Sequence, residues 1–281
     1  MALSRKKFLH TLGLGALAST SLAAASRRSN SCSKPFHLPL NIGLASYTLR
    51  SLSLDEVIPV AKRLGFSSIC LKSMHLPLDS TDAEIKQVAQ KLHEAGLDLY
   101  GAGVIYMRSA DEVRNAFRYA KAAGMDVIVG VPPYKLLPLV EEQVKATNIK
   151  LAIHNHGPGD DVYPSPDSIW EKVKDLDSRI GMCMDIGHTF RIGHDPAAMA
   201  RKYAERLHDI HLKDVDRQSA EGGPVEVGRG IMDIPTFMRA LEDIEYTGVV
   251  ALEYEKDGDD PVPGLAESVG YARGVLDVIE G

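Results

Sequence analysis

The stretch IKLAIHNHGPGDD, beginning at Ile149, ends an apolar run on His154, Asn155 and His156. Side chains in an extended segment repeat every two residues, so His154 and His156 share a face with Ala152. Imidazole nitrogens bind transition metals or move protons near neutral pH, and both uses need a defined face. Three later apolar runs end in the same kind of chemistry: Asp185 with His188, His211 with Lys213, and Glu253 with Glu255. In HDIHLKD the alternate residues are Asp209, His211 and Lys213; in VVALEYE they are Val249, Ala251, Glu253 and Glu255. If these faces look into one interior, His154, Asp185, His211 and Glu253 converge at one level. Two imidazoles and two carboxylates suit Mn²⁺, Zn²⁺, Co²⁺ or Fe²⁺ far better than Ca²⁺, which prefers an all-oxygen shell. A lone strand histidine is more often a hydrogen-bonded core residue. Four such residues on consecutive runs predict one divalent transition metal, with His156 as the substitute ligand should His154 face the wall.

The elements that would position them have a regular beat. From Asn41 onward, NIGLASYT, SSICLKS, LDLYGAG, DVIVGV, IKLAIHNH, IGMCMDIG, LHDIHLKD and GVVALEYE read as strands. Amphipathic stretches of helical period lie between them, among them LDEVIPVAKRLG, DAEIKQVAQKLHEAG and SADEVRNAFRYAKAAG, which end on Gly65, Gly96 and Gly124. Eight strand–helix units in one domain predict a (β/α)8 TIM barrel, an α/β fold whose chemistry sits at the C-terminal strand ends. A doubly wound sheet would show a Gly-rich phosphate turn after its first strand, and SYTLRSLS is not one. Strands one to four end mostly in small, aromatic or apolar residues, with Tyr47, Lys72 and Tyr106 as the polar exceptions. Tyr47 and Lys72 are expected to touch substrate.

Residues 1–26 follow signal-peptide grammar: Arg5, Lys6 and Lys7, then a short apolar middle, then an Ala-rich end. SRKKFL approaches the twin-arginine export signal, with Lys6 where the second arginine would stand. The expected organisation is a signal peptide over 1–26, a linker over 27–38 and the barrel over 39–281, with export to the periplasm. Cys32 falls in the linker without the residues that precede a lipid-attachment cysteine, whereas Cys70 and Cys183 read as core thiols. Residues 1–38 hold six Lys/Arg and no acid, leaving 26 basic against 38 acidic residues in the rest, a body near −12. Such a surface argues against a nucleic-acid backbone as ligand.

CMDIGH, DIHLKD, VGRGIMD and LEYE, in this order, resemble the xylose-isomerase-like barrel superfamily of sugar (phosphate) isomerases and epimerases. The resemblance spans roughly residues 40–280. It implies that one residue from each of strands five to eight holds a divalent metal, usually Glu, Asp, His and Glu. Motif by motif these are Asp185, His211 and Glu253, while the first Glu falls on His154, in AIHNH where many relatives read ALENH. In the epimerases the two metal-bound glutamates also act as opposed acid and base, so His154 puts a symmetric two-carboxylate epimerisation in question. The longer string HNHGP, YPSP, DIGHT, GRG, EYE is similar to an exported subgroup. Some relatives with this barrel act on 3-keto-glycosides by β-elimination.

The resemblance implies a metal-dependent isomerase or epimerase acting beside the carbonyl of an unphosphorylated sugar, with a keto-glycoside lyase, hydratase or hydrolase as the alternative. Glu253, His156, His188 and Lys213 are the expected catalytic groups. Arg229, Glu255, Tyr47 and Lys72 are the expected substrate contacts, Arg229 because EGGPVEVGRG resembles the family's substrate-gripping loop. A homo-oligomer is expected by analogy. Two other classes compete. An apurinic endonuclease on this barrel would need three metals and a basic groove, and a non-catalytic sugar-binding protein would not need the whole ligand set.

Overall fold

Strands buried on both faces read as continuous apolar runs, and that is what VIVGV and IGMCMD are. The computed structural model describes residues 40–280; the expected signal peptide, linker and Cys32 lie outside the described residues. Eight parallel strands close into a barrel: β1 (Asn41–Ala45), β2 (Ser68–Leu71), β3 (Asp98–Tyr106), β4 (Val127–Val131), β5 (Lys150–His154), β6 (Ile180–Asp185), β7 (Leu207–Leu212) and β8 (Val249–Leu252). Their spatial order is their chain order, and β1 pairs with β8 to complete the circle. The helices between them are α1 (Leu54–Arg63), α2 (Asp82–Glu94), α3 (Ala110–Ala123), α4 (Leu137–Thr147), α5 (Pro166–Val173), α6 (Ile186–Arg191), α7 (Pro196–Lys202), α8 (Ile234–Asp243) and α9 (Val262–Glu280). The expected TIM barrel is the observed fold.

Alternation divides the strands between two cores. Outward residues such as Ile69, Ile128, Leu151, Met182, Ile210 and Val250 pack against the helices. Inward residues, including Cys70, Tyr100, Val129, Ala152, Cys183 and Ala251, fill the lumen. Both described cysteines are therefore buried core thiols, as their strand positions suggested. Two steps further along the same face, Ala152 leads to His154, Cys183 to Asp185, Asp209 to His211 and Ala251 to Glu253. The period-two argument thus delivers these four residues to the mouth.

Helix starts follow local chemistry. Ser53/Glu56, Thr81/Glu84 and Ser109/Glu112 form capping boxes at α1, α2 and α3. Strand ends differ from the sequence reading where side chains replace ladder bonds. β1 stops at Ala45, because Thr48 bonds the backbone of Leu252 and Tyr254 from a 3₁₀ turn over Ser46–Leu49. β6 stops at Asp185, whose Oδ1 accepts the His188 N–H at 2.8 Å and starts α6. β3 runs on to Tyr106 through a register shift against β4.

Asp214, fully buried after β7, organises the loop that follows. Its carboxylate accepts the backbone N–H groups of Val215, Gly228, Gly230 and Met232 at 2.9–3.3 Å. Gly230 is required here, since a Cβ would lie 2.0 Å from Asp214 Oδ1. Replacing Asp214 by Ala strands four donors, so we expect a loss of roughly 3 kcal/mol or more. Urea denaturation should show the midpoint falling accordingly; an unchanged midpoint would mean that the loop is held by other contacts.

Candidate metal centre

The four predicted ligands meet. One ligand atom each from His154, Asp185, His211 and Glu253 lie within 4.8 Å of one another, and all four residues are buried. His154 Nε2 is 3.1 Å from His211 Nδ1 and 3.4 Å from Asp185 Oδ2, and His211 Nδ1 is 3.0 Å from Glu253 Oε2. Bonds of about 2.0–2.2 Å to a shared ion fit such separations. The charges fit too. Asp185, Glu253 and Glu255 bring three carboxylates against the single ammonium of Lys213, which touches them at 2.7, 2.9 and 3.1 Å. A divalent cation would complete this set.

Protonation states follow from the same packing. Burial drives the His154 pKa down to about 3, leaving a neutral imidazole fit to be a ligand. Burial opposes the charges of Asp185 and Glu253, but His188 and Lys213 around the first, and His211 and Lys213 around the second, outweigh it. Both carboxyls are held well below the usual range. Burial likewise opposes the Lys213 ammonium, and Asp185, Glu253 and Glu255 together hold it well above its ordinary value. Lys213 thus keeps its proton and is a cation, not a base.

A surrounding layer packs against the cluster. Asn155 accepts the Asp185 N–H at 3.1 Å and donates to the Asp185 carbonyl and to Thr189. Asp209 Oδ2 lies 3.9 Å from His211 Nε2, while the Tyr100 hydroxyl donates to Asp209. Burial lifts the Asp209 pKa to about 6. Asp209 was visible in the sequence as the residue two before His211, yet no role followed from spacing alone. Asp160 was invisible, set in a Gly/Asp-rich loop.

The remaining predicted residues divide. His156 lies outside the four-residue cluster: its Nε2 meets the Tyr106 hydroxyl at 3.0 Å and its Nδ1 lies 3.1 Å from Asp160. His188 sits beside the centre with Nε2 3.9 Å from Asp185 Oδ2, and burial lowers the pKa of both His156 and His188. Glu255 reaches the centre through Lys213. Tyr47 lies between Arg50 and Lys72, whose cationic groups are 5.0 and 5.6 Å from its ring centre. Lys72 Nζ donates to the Val104 carbonyl at 2.8 Å. Arg229 is turned elsewhere: it is exposed and ion-paired with Glu267 of α9, on the loop that Asp214 pins.

A family model described as a xylose isomerase-like TIM barrel matches residues 58–275. The chain belongs to this family. Among its relatives, an inosose dehydratase of Clostridium perfringens is 26% identical over 145 residues, 46% of this chain and 46% of that enzyme. The chain thus aligns with about half the length of that curated relative. A xylose isomerase domain protein from Alicyclobacillus acidocaldarius superposes with a TM-score of 0.72 at 16% identity, covering 86% of this chain and all of that one. An L-ribulose 3-epimerase superposes with a TM-score of 0.70 at 15% identity, covering 85% and 95%. At these identities the two structures speak to the fold.

The centre generates a direct expectation. Elemental analysis of the purified protein should find one divalent transition metal per chain, and Asp185→Ala or Glu253→Gln should lower its occupancy at least tenfold. Full occupancy in both variants would remove these residues as ligands.

Proposed function

We propose that this protein is a divalent-metal-dependent enzyme that removes a proton beside the carbonyl of an unphosphorylated keto-sugar or keto-polyol and expels the oxygen substituent on the β-carbon. The observation that carries this is an asymmetry among the proton-handling groups. Over β5 and β6, the rings of His154, His156 and His188 gather with centroids 4.5–6.1 Å apart. Over β7 and β8, Lys213 binds Glu253 and Glu255. Two equivalent bases on opposite faces, the arrangement an epimerase uses, are not what this chain offers.

A metal held by His154, Asp185, His211 and Glu253 would draw electron density from the substrate carbonyl and acidify the neighbouring C–H. Lys213, kept cationic, stabilises negative charge on the enolate oxygen. His156 is the base: burial keeps it neutral, and Asp160 at Nδ1 steadies the imidazolium that forms. The C–H electron pair becomes a C=C bond, and the β C–O pair departs with its oxygen. His156 then hands the abstracted proton to that oxygen. Atoms and charges balance without another reactant.

The dehydratase activity named for the Clostridium perfringens relative supports elimination. Isomerisation or epimerisation, the leading expectation from the motifs, is the second reading, favoured by Asp185, His211 and Glu253 in the family's ligand places. The leader over residues 1–26 supports export, and with it an unphosphorylated substrate, since phosphorylated sugars are chiefly intracellular.

Metal-replete protein incubated with keto-glycosides and keto-polyols in D₂O, followed by NMR, separates the readings. We expect loss of the β-substituent. Deuterium at a carbon that keeps all its substituents would instead establish an isomerase or epimerase, and sugar binding without any turnover would establish a binding protein. His156→Gln should lower kcat by about 10²-fold or more with KM nearly unchanged. Full activity in that variant would exclude His156 as the base. Much faster turnover of a sugar phosphate than of its free sugar would defeat the inference from export.

A further inference from the structure

We infer that the cavity beside His156 binds a second hydroxylated ring of the substrate, the part that departs. The inference deepens the elimination proposed above. The cavity has a volume of about 740 Å³ and is walled by Tyr106, Arg108, Pro133, Lys135, His156 and Val162, among others. None of the four candidate metal ligands lines it. His156 is the link between the two spaces, its ring 4.5 Å from that of His154 on one side and its edge in the cavity wall on the other. A single sugar ring held at the metal leaves this space unfilled. A group attached through the β-oxygen would enter it, with the linking oxygen passing the imidazole that must protonate it.

The size and chemistry of the walls name the ligand. Sites for small molecules span roughly 300–1,000 Å³, so the volume is that of a bound ring and not of a crevice for water. Tyr106 is 46% exposed, and its ring stacks on His156 with centroids 5.7 Å apart and planes 23° from parallel. Pro133 and Val162 add apolar surface. Arg108 lies 5.5 Å from the centre of the Tyr106 ring, and Lys135 lines the same cavity. Both groups are donors only. Apolar surface from Tyr106, Pro133 and Val162, rimmed by the donors Arg108 and Lys135 and by the Asp161 carboxylate, recognises a ring that is apolar on its faces and hydroxyl-bearing at its edge, whether a sugar or a phenol.

The loop behind the cavity ties occupancy to catalysis. Asp160 Oδ1 accepts the N–H groups of Val162 and Tyr163 at 2.6 and 2.9 Å, while its Oδ2 faces His156. One carboxylate thus fixes both the cavity wall and the base. A ring seated against Val162 holds Asp160, and through it His156, in the working position.

Titration of metal-replete protein with glucose, cellobiose and 4-nitrophenyl β-glucoside, read by calorimetry or ligand-observed NMR, tests this. We expect at least one two-ring probe to bind ten or more times tighter than glucose. Preference for cellobiose identifies a sugar as the second ring, and preference for the nitrophenyl glucoside identifies a phenol. Tyr106→Ala should abolish the gain by removing the stacking face, and Val162→Trp should abolish it by filling the space. Equal affinity for all three probes, no binding of any, or a gain that survives both substitutions would overturn the inference. The probes carry no ketone, so the result is independent of turnover. A two-ring gain without elimination from any keto-glycoside defeats the reaction and leaves the subsite. Elimination from keto-sugars without a two-ring gain does the reverse.

Discussion

Two ionised carboxylates sit in the mouth of this barrel almost without solvent, Asp185 at 0% and Glu253 at 5% exposure. Placing such groups out of water costs several kcal/mol each unless charge and hydrogen bonds replace the lost hydration. The surrounding structure answers that demand. Lys213 bridges both carboxylates, the first turn of α6 donates a backbone N–H to Asp185, and Asn155 clamps the Asp185 backbone. β6 ends where it does because its last side chain becomes the helix cap. From its place just after β7, the Lys213 ammonium reaches Asp185 at the end of β6 and Glu253 after β8 together.

The same demand explains a graded set of protonation states. Moving outward from the lumen, Asp209 is driven up by burial to about 6, whereas Asp185 and Glu253, with cations at hand, are driven down. Asp209 lies deeper, with the Tyr100 hydroxyl and His211 as its partners. His211 stands between the two regimes. Burial disfavours its cation, but Glu253, Asp209 and Asp185 more than offset that and raise its pKa. Its Nδ1 faces His154 and Glu253 at the centre.

The barrel and the convergence of its four inward residues were legible in the sequence for one reason: burial on both faces writes each strand as an apolar run, and period two then says which terminal residue faces inward. That logic places His154, His211 and Glu253 without any knowledge of contacts. It fails where the chain leaves the ladder. The turn at Asp185 into α6 was read as strand, since a side-chain cap carries no periodic signal. Arg229 was expected at the substrate because of its loop motif, and the ion pair with Glu267, 38 residues away, lies beyond any local pattern. Tyr106, His156 and Asp160 meet at the ends of β3 and β5 and in the loop beyond; β4, lying between those strands, sets their spacing across the barrel.

His154 is where physical chemistry and family pattern pull apart, and the consequence is calculable in sign. A glutamate there would add a third negative charge to a donor set that already holds Asp185 and Glu253. The neutral imidazole, fixed in that state by burial, would leave a divalent ion held by these four residues one unit more positive than the glutamate would. A more positive ion polarises a carbonyl more strongly, which favours loss of the neighbouring proton. The same exchange deletes one of two carboxylates that could shuttle a proton symmetrically. Greater acidity at the substrate carbon and poorer proton return to it act in one direction. Under the elimination proposed above, they would turn a reversible inversion toward expulsion of a leaving group, and the proton taken by His156 would be the one available to the departing oxygen.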